Sequence, residues 1–235
     1  MLTFLTFGGG SKNYHEAVDR LISQVKKLEL FDNIIGYTEE ILKNDDYFWN
    51  KHGNFIENNK RGYGYWLWKS YLILKTIENL KDGDILLYLD CGCEIDVRKK
   101  QKLIEYIGYL DEHNILGTNG GSVRQYCKMD LILKLDMMKY INNAELTQAC
   151  VLLILINDKT RALIKEWYEL CCEYSNIDDT PSINKNHESF IEHRHDQSVL
   201  GLLLLKYNFV TFKRKFHLHY AIDVNRNKSG FSQIK

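Results

Sequence analysis

A chain of 235 residues, 45% hydrophobic and 26% charged, has the make-up of one globular domain with enough apolar mass for a sizeable core. Thirty-one basic side chains balance thirty-one acidic ones. That argues against nucleic acid as a partner, because displacing phosphate counterions takes a basic surplus. The longest apolar runs, Ala149 to Ile156 and Val199 to Leu205, fall far short of the roughly 20 residues that span a bilayer. The opening MLTFLTFGGG lacks the basic flank and long apolar stretch of a signal peptide, so the expected location is the cytoplasm. The six cysteines show no repeated CxxC or Cys/His spacing and read as reduced, buried thiols rather than a zinc site.

In chain order, Met1 to Phe7 reads as a strand, followed by Gly8-Gly9-Gly10 and a helix cap at Ser11 or Asn13. Ala17, Val18, Leu21, Ile22, Val25 and Leu28 recur at helical spacing, predicting an amphipathic helix over residues 14–29. Phe31 to Tyr37 is a second short strand, which makes the opening of an α/β fold. Residues 43–65 lack clear periodicity and read as a long ordered loop, with room for a short helix. Trp66 to Leu80 is predicted helical and stops at Lys81-Asp82-Gly83. Asp84 to Leu89 is the clearest buried strand, apolar on both faces as a central parallel strand is.

Further helices are expected over residues 98–112, Asp130 to Met138, Lys159 to Tyr174 and His195 to Tyr207. Further strands are expected at Ile115 to Thr118, Cys150 to Ile156 and Phe209 to Phe212. Asn176 to Glu188, which holds the only proline, reads as a surface loop, and the tail from Phe216 as irregular. With no repeat and no linker, residues 1–235 form a single domain of α/β class, its mixed, mainly parallel central sheet flanked by helices.

Four blocks carry chemistry. Asp90 ends the buried strand, where open α/β sheets bind ligands and where a carboxylate needs a partner. Arg61 to Lys69 (RGYGYWLWK) joins glycines, which allow close backbone approach, to stacking aromatics and two phosphate-binding cations. His193 to Ser198 (HRHDQS) opens a helix with Asp196, which is either a cap or a carboxylate presented with Gln197 to a polar substrate. His217 and His219 share one face of an extended segment and are candidate metal ligands beside Asp90.

With TFGGGSKNY at the start, RGYGYWLWK, GDILLYLDCGCEI and HRHDQSVL occur in an order that resembles nucleotide-sugar glycosyltransferases of the GT-A fold, most of all a group of small bacterial and viral sugar transferases. The resemblance spans residues 3–220. It implies transfer of a sugar from a nucleotide-diphosphate donor, UDP-linked by preference, to a hydroxyl of a glycan or other acceptor, in the host cytoplasm if the chain is viral. It implies that Thr6, Phe7, Gly8 and Tyr14 line the nucleotide end of the donor site. Arg61, Tyr65, Trp66 and Lys69 would meet the diphosphate or donor sugar, beside Asp90, Cys91 and Gly92. Asp196 and Gln197 would flank the reacting sugar as catalytic residues. Asp90 and His219, or less favourably His217, would hold Mn²⁺ or Mg²⁺.

The second acid of the family's DxD metal motif is missing, because position 92 is glycine. Glu94 shares the parity of Asp90, but four residues of strand span about 13 Å. Two readings follow: the donor diphosphate completes the metal's shell, or Arg61 and Lys69 neutralise the leaving group with no metal. Asp196 is the first candidate for the carboxylate that activates the acceptor, and Glu145 the second. The competing functions are a catalytically inactive nucleotide- or sugar-binding module and a sugar nucleotidyltransferase.

Overall fold

A computed structural model describes residues 1–213 and 216–234. The strands are β1 (Leu2–Phe7), β2 (Asn33–Tyr37), β3 (Ile85–Asp90), β4 (Glu94–Ile95), β5 (Ile115–Leu116), β6 (Asn119–Ser122), β7 (Glu145–Thr147), β8 (Val151–Leu155) and β9 (Ile222–Asp223). The central sheet has the order β2-β1-β3-β8-β5. β1 runs parallel to both β2 and β3, and β8 runs antiparallel to β3 and β5. The expected mixed, mainly parallel sheet is therefore present. The longer helices are α1 (Lys12–Lys26), α2 (Asp46–Asn58), α3 (Leu67–Ile77), α4 (Lys100–Gly108), α5 (Asp158–Cys171) and α6 (His195–Lys206).

Strand periodicity sorts the apolar residues onto two faces. Leu5, Phe7, Leu86, Tyr88, Leu152 and Ile154 pack toward α3, α5 and α6. Phe4, Leu87, Leu89, Val151 and Leu153 pack toward α1 and α4. The result is three layers, helix on sheet on helix. Among the described residues no helix is long and apolar enough to cross a membrane. All six cysteines are free: Cys91, Cys93, Cys127 and Cys171 are buried, while Cys150 and Cys172 are partly exposed.

Three sequence expectations need correction. Residues 43–65 are not mainly loop, since α2 occupies Asp46–Asn58. Its buried stripe is Phe48, His52, Gly53 and Ile56, half of it not hydrophobic, which hides the period. Its cap was readable, because Asp45 Oδ1 accepts from the Phe48 N–H at 3.1 Å. Phe209 to Phe212 is not a strand. The Gly117 N–H donates to the Thr211 carbonyl at 2.8 Å, but no ladder follows. The tail is not wholly irregular: Leu218–Tyr220 is a 3₁₀ turn, and β9 pairs with β4.

The tail is tied to the sheet by one buried cation. Arg20, on the inner face of α1, donates to the carbonyls of Cys91 at 2.6 Å and Cys93 at 3.0 Å, and to those of Asn227 at 3.0 Å and Ser229 at 2.5 Å. Its Nε lies 3.7 Å from the fully buried Glu94. Burial depresses the Arg20 pKa, and Glu94 opposes that. Removing one partner of such a buried pair costs about 3–5 kcal/mol. Arg20→Leu is therefore expected to lower stability by about that amount, with hydrogen-exchange protection lost first over residues 225–233.

Candidate active site at the carboxyl ends of β1 and β3

The chain leaves β1 toward β2 on one side, while β3 lies on the other. Strand order reverses there, and the crevice outside the carboxyl ends at such a point is where open α/β sheets bind ligands. Phe7 is in register with Asp90 at this edge. The residues expected at the nucleotide end gather around it. Gly8 packs so closely against the first turn of α1 that a Cβ there would lie 2.5 Å from the Tyr14 carbonyl oxygen. Tyr14 in turn packs with Cys91. The Thr6 hydroxyl is buried with no hydrogen-bond partner among the described residues. Gly92 is equally close-packed, with the site of a Cβ 3.2 Å from Arg226 Cα.

Asp90 and Tyr88 point to the same face of β3. The Tyr88 hydroxyl donates to Asp90 Oδ1 at 2.6 Å. Lys69, on the first turn of α3, places Nζ 3.1 Å from Asp90 Oδ1 and 3.2 Å from Asp196 Oδ2. The Lys69 and Asp196 side chains are 3% and 5% exposed, whereas that of Asp90 is 29% exposed, so Asp90 is the most open of the three. Burial opposes the Lys69 charge, but Asp196 and Asp90 outweigh it and hold the ammonium pKa above the ordinary lysine value. Asp196 is pushed up to about 6, chiefly by burial, with Lys69 pulling down and Asp90 pushing up. Its Oδ2 faces Lys69 at ion-pair distance without hydrogen-bond geometry. The N-cap of α6 is Arg194, not Asp196, and the Asp196 carboxylate faces Lys69.

The glycine-aromatic block has an unusual backbone. Gly62, Tyr63, Gly64, Tyr65 and Trp66 all have positive φ, from 51° to 82°, and together form a left-handed turn ahead of α3. The left-handed form costs roughly 1–2 kcal/mol for each residue with a Cβ. At Gly62 a Cβ would lie 2.4 Å from the Trp66 ring, and at Gly64 2.6 Å from Ile56 Cγ1. Trp68 Nε1 clamps the turn by donating to the Gly62 carbonyl at 3.0 Å. The turn carries Tyr63 to the Phe7 ring and lays Tyr65 and Trp66 against His195.

Other expected residues are engaged with partners of their own. Arg61 is half exposed and binds Asp179 at 3.0 and 3.1 Å and Glu192 at 3.4 Å. Gln197 donates to the Gly120 carbonyl at 3.3 Å, facing the β6–β7 hairpin. Glu145 is exposed and accepts from Asn119. His219 is exposed and contacts His217, whose Nε2 accepts from the Asn119 N–H at 3.0 Å.

These residues do not make a divalent-cation site by themselves. Asp90 is engaged by Tyr88 and Lys69, and position 92 has no side chain. Glu94 turns to the opposite layer, where Asn225, Asn227 and Gln233 donate to it at 3.1, 3.1 and 2.9 Å. Among the described residues no group of three or more His, Cys, Asp or Glu side chains is placed to hold a metal. Sequence reasoning missed Tyr88, Arg20 and His195. Parity with Asp90 points to Tyr88 and helical spacing from Ala17 places Arg20 on the apolar stripe, but nothing in the pattern marks His195.

No protein-family model matches this chain, and no curated protein matches it. Solved structures similar to it include mouse xyloside xylosyltransferase 1 in its apo form, at TM-score 0.48 and 9% identity over 90% of this chain and 84% of that one. The galactosyltransferase LgtC, in complex with donor and acceptor sugar analogues, has TM-score 0.48 and 15% identity over 98% and 84%. A glycosyltransferase involved in glycosylation of the major capsid of PBCV-1 has TM-score 0.39 and 12% identity over 72% and 65%. The functional reading below rests on the site's own geometry.

Lys69→Met leaves two carboxylates facing each other without their cation. The pKa of Asp196 then rises further, so the variant is most stable below that pKa and loses stability as pH increases through it. Thermal unfolding is expected to show a deficit of about 3–5 kcal/mol at pH 8 that narrows toward pH 5; a deficit independent of pH would detach Lys69 from Asp196.

Proposed function

We propose that this chain is a nucleotide-sugar glycosyltransferase with a GT-A core, moving a sugar from a nucleoside-diphosphate donor, UDP-linked by preference, to a hydroxyl of a glycan or other acceptor. The observation that carries this reading is Lys69, buried between Asp90 and Asp196 beside the switch point of the sheet. One carboxylate opens to the crevice, one stays buried with a raised pKa, and a permanent cation lies between them. A buried carboxyl group with a raised pKa beside a fixed cation in a crevice is a candidate acid–base group.

In the reaction the bond from the anomeric carbon to the diphosphate oxygen breaks, and its electron pair leaves with the nucleoside diphosphate. A new bond forms from the acceptor oxygen to the same carbon, and the hydroxyl proton is lost. Asp196, with a pKa of about 6, is ionised at neutral pH and more basic than an ordinary aspartate. In an inverting enzyme it takes that proton; in a retaining one it faces the positive charge growing at the anomeric carbon. Lys69 holds Asp90 and Asp196 in place and offers fixed positive charge beside the leaving group. Gly8 and Gly92 let α1 and the backbone at Arg226 pack against the strand ends, which shapes the crevice where the nucleotide would lie. No step is routed through a metal, since the donor set described above does not supply a site for one; Mn²⁺ or Mg²⁺ would need oxygens of the donor diphosphate.

The first test is thermal unfolding with UDP, GDP, CMP and their sugar conjugates, each with and without Mn²⁺. A ligand at 100 times its dissociation constant is expected to stabilise the protein by about 2.7 kcal/mol. No shift with any nucleotide would sink the reading, while binding without hydrolysis or transfer would leave an inactive binding module. Pyrophosphate from a nucleoside triphosphate and a sugar phosphate would mean a nucleotidyltransferase.

Two further outcomes are expected once a donor is found. Asp196→Asn should keep nucleotide binding and lower kcat by about 10²–10⁴. The kcat/KM of the unaltered enzyme should rise with pH through about 6 and then level, because Asp196 works as the carboxylate. A profile flat from pH 5 to 8 would remove Asp196 from the chemistry.

A further inference from the structure

His193 and His195 lie two residues apart, are both at least 95% buried, and are used differently. His193 spends both ring nitrogens inside the protein. Its Nδ1 accepts from the Lys128 N–H at 3.2 Å, and its Nε2 donates to the Asn176 carbonyl at 2.8 Å. His195 spends only one. Its Nδ1 lies 2.6 Å from the Ile177 carbonyl, which can only accept, so Nδ1 carries the proton. Burial lowers the pKa of the ring, which leaves it neutral and Nε2 a bare lone pair. That nitrogen is buried and has no hydrogen-bond partner among the described residues.

An unsatisfied buried acceptor costs about 1–3 kcal/mol. The same residue also holds a φ of 51°, in the left-handed region. Its ring is stacked by Trp66 at 5.2 Å and 29°, and Tyr65 lies tilted against it at 5.1 Å. Both aromatics stand on the left-handed turn Gly62–Trp66. Strain and an orphaned polar atom thus meet at one contact. That contact lies in the seam between α3 and α6 that also holds Lys69 and Asp196: Trp66 precedes Lys69 by three residues, and His195 precedes Asp196 by one.

We propose that Nε2 of His195 accepts a hydrogen bond from a hydroxyl of the donor sugar, with Tyr65 and Trp66 as the aromatic wall against which that sugar lies. The assignment rests on the glycosyltransferase reading above and makes His195 a specificity residue of the same site. A sugar ring has the matching chemistry: hydroxyl donors at its rim and an apolar C–H face for an aromatic ring. To reach Nε2 the sugar enters between His195 and the aromatic pair, and the strained turn shifts to admit it while Tyr65 and Trp66 keep their faces toward the sugar.

The test compares the unaltered protein with His195→Asn. Asparagine tolerates the left-handed backbone, but its shorter side chain does not reach the place of Nε2. Calorimetric titration uses UDP, UDP-glucose, UDP-galactose, UDP-xylose and UDP-N-acetylglucosamine, then the deoxyfluoro forms of the tightest-binding sugar nucleotide, in which fluorine replaces one hydroxyl and donates no proton. The variant is expected to bind UDP unchanged and to lose about 10-fold in affinity for the sugar nucleotide. One deoxyfluoro donor is expected to lose about the same factor with the unaltered protein and nothing further with the variant. Equal affinity of both proteins for the sugar nucleotide, or losses that simply add, would overturn the role of His195 alone. Failure of the unaltered protein to bind any of these sugar nucleotides would overturn the UDP-sugar donor itself, and this assignment with it. If His195→Asn does not fold, the Nε2 resonance in ¹⁵N-histidine-labelled protein decides. It should move on adding the sugar nucleotide and stay with UDP; no movement overturns the proposal.

Discussion

A lysine ammonium buried between two aspartates is the contact on which the candidate site depends. Lys69 comes from the first turn of α3, Asp90 from the end of β3 and Asp196 from the start of α6. Each element alone would bury a charge it cannot solvate, and only their packing together makes the three charges tolerable. The arrangement leaves one net negative charge when Asp196 is ionised and none when it is protonated. The balance between those states lies close to neutral pH because burial, rather than a neighbouring charge, dominates the Asp196 shift. Such a centre is costly for stability and suited to chemistry.

Around that centre the structure accepts further costs. Three residues with a Cβ, Tyr63, Tyr65 and Trp66, sit in left-handed backbone. They persist because the ring contacts of Phe7, Phe55 and His195, with the hydrogen bond from Trp68, hold the turn from several sides. The opposite layer is built otherwise. There Arg20 and Glu94 form a buried ion pair, and Arg20 fixes the loop after β3 through its backbone carbonyls. The carboxylate that parity assigns to the same side as Asp90 is thus drawn through to the far face by the turn at Gly92. At the candidate site, Thr6 and His195 keep unspent hydrogen-bonding capacity.

Much of this was legible in the residues. The run DILLYLD marks the central strand and its terminal carboxylate, and the helical spacing from Ala17 to Leu28 marks α1. What escaped has physical causes. Helix α2 buries a histidine and a glycine on its inner stripe, so counting apolar residues does not find it. The RGYGYW block reads as chemistry and is also a backbone device, since only φ reveals the left-handed turn. Asp196 reads equally as cap or catalyst until its partner is seen, and that partner is 127 residues away along the chain. A metal at Asp90 and His219 follows from resemblance, while the side chains that would complete it are absent or spent elsewhere.

The pair of Arg20 and Glu94 also bears on the order in which the molecule assembles. Arg20 reaches carbonyls 207 and 209 residues downstream, and Glu94 receives donors 131, 133 and 139 residues downstream. Contacts of such separation form late, because the closure entropy of the intervening chain comes before their reward. During synthesis β1, α1, β2 and β3 can pair as they emerge, but the loop after β3 lacks its anchor until residues 225–233 have been made. A nascent chain therefore pairs β1, β2 and β3 before the loop at the carboxyl end of β3 is anchored.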